Sequence, residues 1–303
     1  MLKTRVITAL VLLLVFLAAL FWLPQRPWAA FAGVVVVPAA WEWSKLIKLS
    51  RVACGLYVVV VAAACAALFW LAHGDATHGP VALQSGGLQS TIYLGASLFW
   101  MVVVPVWLWR SWLPRARWLA ALTGLLVLVP TWLALVELRE LGPLLLLLLM
   151  SVAWISDTAA YFAGRRFGRH KLAPSISPGK TWEGVLGAVL AVGLYAALWG
   201  LAWPAYFPQA IKSMRFGTFG MLLFLWLLTV LGICGDLFES ALKRQAGVKD
   251  SGALLPGHGG VLDRIDALTA VLPVAALVYL SGAGCRISPY SGRPVPSGST
   301  PST

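Results

Sequence analysis

Long apolar runs dominate this sequence, and each is close to the length that a helix needs to cross a lipid bilayer. About 20 mostly apolar residues suffice for one crossing. Hydrophobic residues fill 60% of the 303 positions and charged residues only 11%, whereas soluble domains carry about 25% charged residues. The pattern predicts an all-α polytopic membrane protein with the lipid bilayer as its solvent. About nine transmembrane helices are expected, over residues 6–23, 28–43, 52–72, 91–109, 118–136, 143–163, 184–203, 218–238 and 261–280.

Two of these runs fit a membrane span less well than the others. Run 28–43 is interrupted by Pro38 and ends at the polar residues Glu42 and Ser44. Run 261–280 begins inside a charged segment. Polar groups in a bilayer are costly, so the sequence defines these two spans less sharply than the rest.

The distribution of basic residues predicts how the chain is oriented. The chain has 23 Lys and Arg residues and a formal net charge of +12. A cytoplasmic N-terminus places 17 of them inside and 6 outside, which is the bias typical of cytoplasmic loops. The inside segments are 1–5, 44–51, 110–117, 164–183 and 239–264. We expect a multi-pass protein of the cell inner (cytoplasmic) membrane. Since orientation and anionic lipid account for the charge, no nucleic acid partner is expected.

Polar composition divides the chain into three regions. Residues 1–140 are predicted to form N-terminal transmembrane helices, with a Gly-rich external loop over 74–90. Residues 141–280 are predicted to be a catalytic transmembrane region with cytoplasmic loops. From residue 281 the sequence is rich in Ser, Pro and Gly, so 281–303 is predicted to be a disordered tail.

Acidic residues concentrate in the second half of the chain. Seven of the 11 lie between positions 157 and 266, namely Asp157, Glu183, Asp236, Glu239, Asp250, Asp263 and Asp266. Carboxylates near a membrane are costly unless they are paired or bind metal. The i, i+3, i+4 and i+7 spacing places four polar residues on one helix face, and these are Asp236, Glu239, Ser240 and Lys243.

Basic side chains interleave with these carboxylates. Carboxylates repel phosphate groups unless a cation lies between them, and Mg²⁺ prefers oxygen ligands. Lys and Arg bind the remaining phosphate oxygens, and four basic residues are close in sequence: Lys243, Arg244, Lys249 and Arg264. The combination indicates phosphoryl or nucleotidyl transfer with a divalent metal. The alternative is a set of ion pairs that hold helix ends together.

One short motif resembles a phosphate-binding loop but does not qualify as one. The run Gly179-Lys180-Thr181 matches the end of a P-loop, yet Pro174 stands where that motif requires its first glycine. No apolar strand leads into it either. Ser177 and Pro178 instead predict the start of a helix.

Two long motifs resemble the phosphatidate cytidylyltransferase family. The first is SALKRQAGVKDSGALLPGHGGVLDRID over residues 240–266, and all 27 of its positions match that family's signature. The second runs upstream, as SDTAAYFAGR over 156–165 and KLAPSISPGKTWEG over 171–184. The runs before residue 140 are similar to the family only in being hydrophobic, and the tail after about 281 departs from it.

The resemblance implies that CTP and phosphatidate give CDP-diacylglycerol and pyrophosphate, with Mg²⁺ required. It also implies a homodimer with a cytoplasmic active site. Asp236 and Asp263 match the positions expected to hold the metal, and Ser240 those expected beside a monovalent ion such as K⁺.

Further site residues are assigned as a hypothesis. Asp266, Lys249 and Asp250 join the catalytic set, and His258 contacts a phosphate or the nucleotide, or is structural. Phosphate groups are expected to be bound by the basic residues Lys243, Arg244, Arg264, Lys171 and Lys180, with Asp157 completing the pocket.

Two other functions remain open. A CTP-dependent lipid kinase, or a liponucleotide synthase for another lipid, would use the same charges. A transporter would place its carboxylates near the middle of the membrane and often has two similar halves. The clustering of charges at one side favours the enzyme.

Overall fold

The computed structural model describes residues 2–73, 86–110, 114, 116–202, 217–255 and 259–283. The helices are α1 (Leu2–Trp22), α2 (Gln25–Leu46), α3 (Arg51–His73), α4 (Gly86–Leu98), α5 (Val104–Trp109), α6 (Arg117–Leu141), α7 (Pro143–Phe167), α8 (Trp182–Ala202), α9 (Gly217–Ala246) and α10 (Leu262–Ala283). A π-helical turn, Phe99–Val103, joins α4 to α5 in one continuous rod. Two short strands, β1 (Lys171–Ala173) and β2 (Ser177–Thr181), lie between α7 and α8.

Each of the predicted apolar runs coincides with helix. Within the described ranges, six helices are long and apolar enough to cross a membrane: Arg51–His73, Gly87–Trp109, Arg117–Leu141, Pro143–Phe167, Trp182–Gly200 and Phe219–Ala246. Ile7–Trp22 is apolar but shorter. The two runs that fit a span less well, 28–43 and 261–280, form α2 and α10, and neither helix is among these six. The helical membrane architecture is therefore confirmed, while the number nine stays a prediction.

α10 lies in the middle of the bundle rather than at its surface. It packs against α4, α6, α7 and α9, and residues 267–276 are all buried. Small side chains such as Ala270 and Ala275 let the neighbouring helices approach closely. Because protein surrounds α10, its charged first turn lies among polar partners from other helices instead of in hydrocarbon.

Tryptophan side chains fix α2 against α6. Trp28 donates from Nε1 to the carbonyl of Leu135 at 3.0 Å, and Trp43 donates to the carbonyl of Ala120 at 3.0 Å. These two contacts run in opposite directions along the two helices, so α2 and α6 are antiparallel. A buried indole N–H requires such a partner, and here the partners hold the C-terminal end of α2 in place.

The segment between α7 and α8 corrects one prediction. The sequence predicted a helix starting at Ser177, but β1 and β2 pair as a short antiparallel hairpin with Lys171 opposite Thr181. Pro174 and Pro178 lack the N–H that a helix needs, so this stretch turns instead. α8 begins at Trp182, where Thr181 Oγ1 accepts the amide of Gly184 at 3.2 Å and caps the helix.

Helix also extends into segments predicted to be irregular. α4 begins at Gly86, inside the predicted loop 74–90, and α10 continues to Ala283, past the predicted start of the tail. The remainder of the predicted loop (74–85) and of the tail (284–303) lies outside the described residues.

Candidate active site

The polar face predicted on α9 forms as its helical spacing indicated. Ser240 Oγ donates to Asp236 Oδ1 at 3.2 Å, one turn apart on the helix. Lys243 Nζ donates to Glu239 Oε2 at 2.7 Å, again one turn apart. All four side chains therefore lie along one stripe near the C-terminal end of α9.

Asp263 is held at the start of α10 by charge and by backbone amides. Lys243 Nζ lies 2.6 Å from Asp263 Oδ1, so this lysine bridges Glu239 and Asp263. Asp263 Oδ2 accepts the amides of Gly260 at 2.8 Å and Ser251 at 3.0 Å. These bonds satisfy backbone amides of the segment that leads into α10, and they leave the other oxygen of Asp263 facing Lys243 of α9.

The hairpin supplies a second lysine to the same place. Lys180, near the end of β2, forms an ion pair with Asp236. Arg244, on the last turn of α9, donates from Nε to the carbonyl of Ile176 at 3.4 Å and from Nη1 to that of Val248 at 3.2 Å. Segments far apart in sequence, 171–181 and 236–248, are thereby joined.

Asp157 and Asp266 complete the group. Asp157 on α7 interacts electrostatically with Asp236 and Lys180, and Asp266 on α10 interacts with Asp236 and Asp157. The approach of α9 to α10 is close, because a Cβ on Gly235 would lie 2.6 Å from the Asp266 carbonyl oxygen. Only glycine fits there without displacement.

We refer to Asp157, Lys180, Asp236, Glu239, Lys243, Asp263 and Asp266 as the carboxylate cluster. Its five carboxylates and two ammonium groups carry a formal charge of −3 when all are ionised. Glu239 Oε1 is buried and has no hydrogen-bond partner in the described part of the chain. Excess negative charge and unpaired oxygen are what a hard cation compensates.

The carboxylates of the cluster suit Mg²⁺ that is also bound by substrate phosphates. No three His, Cys, Asp or Glu side chains within the described ranges are arranged to hold a metal on their own. Mg²⁺, however, is usually bound by one or two carboxylates together with water and substrate phosphates. The cluster therefore suits a cation that binds with a phosphate-containing substrate.

Four other predicted site residues are exposed to solvent. Lys249 and Asp250 are exposed in the turn after α9, with no polar contact to the described residues, and Lys171 is exposed at the start of β1. Arg264 is exposed on the first turn of α10. His258 lies outside the described residues.

One carboxylate in this region was not predicted as part of the site. Glu42, near the end of α2, is 1% exposed. It accepts hydrogen bonds from Ser251 Oγ at 3.1 Å, from the amide of Val261 at 3.1 Å and from the amide of Leu262 at 2.8 Å. The available signal is a glutamate within an apolar run, which from the sequence alone only makes that span less well defined.

A separate polar cleft lies beside the hairpin. His170 Nδ1 is 2.7 Å from Glu183 Oε1, and the amide of His170 donates to the same carboxylate at 3.2 Å. The cleft has a volume of about 470 Å³ and is lined by Arg166, Phe167, Gly168, Arg169, His170 and Glu183. Its guanidinium groups make it a second place where an anion is favoured.

Comparison with known proteins identifies similar chains that extend over nearly the same length. The profile of a family described as the cytidylyltransferase family matches residues 3–281. A protein of Pseudomonas aeruginosa named phosphatidate cytidylyltransferase is 40% identical over 299 residues, covering 94% of this chain and 99% of the relative. A protein of the same name from Haemophilus influenzae is 32% identical over 92% of this chain and 99% of its own length.

A third relative is similar over a shorter region. A protein of Thermotoga maritima, also named phosphatidate cytidylyltransferase, is 45% identical over 141 residues, which cover 46% of this chain and 51% of the relative.

Proposed function

The chain belongs to the cytidylyltransferase family, and we propose that it transfers the cytidylyl group of CTP to phosphatidate. The products are CDP-diacylglycerol and pyrophosphate, a step of phospholipid biosynthesis. The observation that carries the proposal is the carboxylate cluster, where lysines and carboxylates from α7, β2, α9 and α10 meet. Near-complete coverage of two relatives bearing that enzyme name supports the substrate pair.

The reaction is an in-line displacement at phosphorus. A phosphate oxygen of phosphatidate attacks the α-phosphorus of CTP, and the bond from that phosphorus to the oxygen bridging the β-phosphate breaks. The electron pair leaves with pyrophosphate. Because the lipid phosphate is already ionised, no strong general base is required, and the protein's task is to align the partners and neutralise charge.

Asp236 and Asp263 are the residues that we propose hold Mg²⁺. The cation, when bound with the nucleotide, neutralises charge on the phosphate oxygens. Ser240 already donates to Asp236 and orients it, and a monovalent ion such as K⁺ beside Ser240 belongs to the same proposal. Asp266 and Asp157 add negative charge behind this pair and help to position it.

Basic side chains around the cluster are proposed to bind phosphate groups. Lys180 and Lys243 lie within the cluster itself, and Arg244, Arg264 and Lys171 lie at its rim. Lys249, Asp250 and His258 remain in the proposed catalytic set through their positions in the matched motif. With the acyl chains in the bilayer, only the lipid headgroup has to reach the cluster.

The proposal includes a membrane arrangement. Nine spans with a cytoplasmic N-terminus would place the site at the cytoplasmic face of the inner membrane. The contacts of Lys180 with Asp236 and of Arg244 with Ile176 support a common side for segments 164–183 and 239–264, as the charge distribution predicts. A homodimer is proposed from the family alone.

Tracing two labels of CTP tests the activity. Purified protein in lipid nanodiscs is incubated with phosphatidate, Mg²⁺ and CTP labelled on either the α- or the γ-phosphate. Cytidylyl transfer predicts α-label in the lipid and γ-label in pyrophosphate. A lipid kinase would instead place γ-label in the lipid. That result, or a lipid fraction that carries neither label, would contradict the proposal.

A further inference from the structure

A carboxylate from the N-terminal half of the chain caps the helix that carries Asp263. We propose that Glu42 is a positioning residue for the reaction, which acts by fixing the segment 251–262 and thereby the carboxylate of Asp263. The inference rests on the proposed function of the carboxylate cluster. It adds a residue from α2 to a site otherwise built from α7, β2, α9 and α10.

Glu42 replaces the local cap that α10 lacks. The residue before the helix is Val261, which has no side-chain oxygen to accept the first amides. Glu42 accepts two of them, from Val261 at 3.1 Å and Leu262 at 2.8 Å. The helix dipole favours a negative charge at this end, so the buried carboxylate is satisfied by the chain that it orders.

The same segment connects Glu42 directly to Asp263. Ser251 donates its hydroxyl to Glu42 Oε2 at 3.1 Å and its amide to Asp263 Oδ2 at 3.0 Å. Three successive amides are shared between the two carboxylates, because Gly260 donates to Asp263 while Val261 and Leu262 donate to Glu42. A displacement of Glu42 would therefore be transmitted to Asp263 through Ser251 and through the start of α10.

Glycine residues leave room for the Glu42 carboxylate. A Cβ at Gly252 would collide with Glu42 Oε1, and a Cβ at Gly260 would collide with Ser251 Oγ. Both glycines belong to the motif over 240–266. Glu42 thus explains the space required at Gly252. At Gly260 a Cβ would meet Glu42 Oε2 as well as Ser251 Oγ, whose hydroxyl is itself bonded to Glu42.

The position of Glu42 is itself rigidly defined. Its neighbour Trp43 is 2% exposed, donates to the carbonyl of Ala120 and packs against Phe238 of α9 with 6.3 Å between ring centroids. The contacts of Trp43 therefore fix the position of Glu42 relative to both α6 and α9.

The two oxygens of Asp263 have different partners. Oδ1 faces Lys243, while Oδ2 accepts backbone amides.

The test compares Glu42→Gln with Glu140→Gln. Glutamine keeps the size of the side chain but loses charge and places an NH₂ group against N–H donors. Glu140 is a suitable control because its side chain is 57% exposed and contacts His73 at the other end of the bundle. Three properties of each purified variant are measured. The first is its Tm, and the second is its binding of labelled CTP over a Mg²⁺ titration without phosphatidate. The third is its kcat and KM per folded molecule.

Glu42→Gln is expected to lower kcat by roughly 10- to 100-fold. The Mg²⁺ concentration for half-maximal CTP binding should rise by a similar factor. Effects of this size are usual when a group that orients a metal ligand is removed. Glu140→Gln should match the wild type. Normal kcat and Mg²⁺ dependence in folded Glu42→Gln, with only a lower Tm, would overturn the proposal by reducing Glu42 to a packing role.

Two further variants test the proposal, and the first does so even if Glu42→Gln does not fold. Ser251→Ala removes one of the three hydrogen bonds to Glu42, and it should also raise the Mg²⁺ concentration needed for CTP binding. An unchanged Mg²⁺ titration in Ser251→Ala would count against the proposal. Added to Asp263→Asn, Glu42→Gln should cause little further loss, because both act on one carboxylate. Additive losses would show that Glu42 acts elsewhere. Failure of the wild type to label phosphatidate would instead reject the proposed function.

Discussion

Lys180 and Lys243 each form ion pairs with carboxylates of the carboxylate cluster. Lys180 comes from the hairpin and pairs with Asp236, while Lys243 comes from α9 and bridges Glu239 and Asp263. Side-chain exposure is 22% for Lys180 and 12% for Lys243. Partly buried ammonium groups interact with charge more strongly than exposed ones, so both are well placed to stabilise phosphate oxygens.

Replacing Lys180 by Gln should lower kcat/KM for CTP by roughly 10²- to 10³-fold, the usual effect of removing one stabilising donor from an active site. Lys45→Gln is the control, since Lys45 lies over the ring of Trp41 at 4.9 Å and outside the cluster. Steady-state kinetics at saturating phosphatidate measure the effect. Equal kinetics for both folded variants would remove Lys180 from the site.

At the scale of helices, the site depends on how closely α9 and α10 pack. Gly235 precedes Asp236, and it lies against the backbone of Asp266 and Ala267. Any side chain there must push the two helices apart, which would separate Asp236 from Asp266.

Gly235→Ala is therefore expected to lower the free energy of unfolding by about 1–3 kcal/mol, the typical cost of overpacking, and to reduce kcat as well. Gly95→Ala in α4 is the matched control, because a Cβ there meets no atom within 4 Å. Chemical denaturation and turnover of the two purified variants provide the comparison. A Gly235→Ala protein as stable and active as Gly95→Ala would contradict the close approach.

Local periodicity explains which parts of the fold and site were predictable. Spacing of apolar residues located the helices, and the i, i+4 spacing placed Ser240 beside Asp236 and Lys243 beside Glu239. The motif resemblance added Lys180, whose contact with Asp236 spans the chain from β2 to α9. These placements follow from short-range geometry or from a known signature, and the roles of the site residues stay predictions.

Long-range contacts explain what was missed. Glu42 is separated by more than 200 residues from its partners, and helical periodicity carries no information about such a pair. The hairpin was also missed, since its strands of three and five residues are too short for an alternating pattern. Ser177 and Pro178 predict a helix start there, whereas in the structure both lie in β2 and Pro174 lies in the turn before it.

The two ends of the whole molecule differ in chemistry. One end holds the carboxylate cluster, the hairpin and Glu42. The other holds Arg139, which donates to Gln25 Oε1 at 3.1 Å, and Glu140 beside His73. The proposed orientation places the first end in the cytoplasm, as the excess of Lys and Arg in its loops predicts.

Cysteine labelling in sealed spheroplasts tests that orientation. The four native cysteines are first replaced, and single cysteines are introduced at Ser175, which is exposed in the hairpin turn, or at Glu140. A membrane-impermeant maleimide should label Glu140→Cys in intact spheroplasts but Ser175→Cys only after lysis. The reverse pattern would invert the topology.

The most direct test asks whether the carboxylate cluster performs cytidylyl transfer. Incorporation of α-labelled CTP into phosphatidate is measured per folded molecule for the wild type, Asp236→Asn, Asp263→Asn and the control Glu140→Gln across a Mg²⁺ titration. Since metal charge contributes several kcal/mol and each 1.4 kcal/mol is tenfold, both aspartate variants should fall by at least about 100-fold while the control stays near wild type. Near-normal transfer by folded Asp236→Asn and Asp263→Asn would contradict the assignment of the reaction to this cluster.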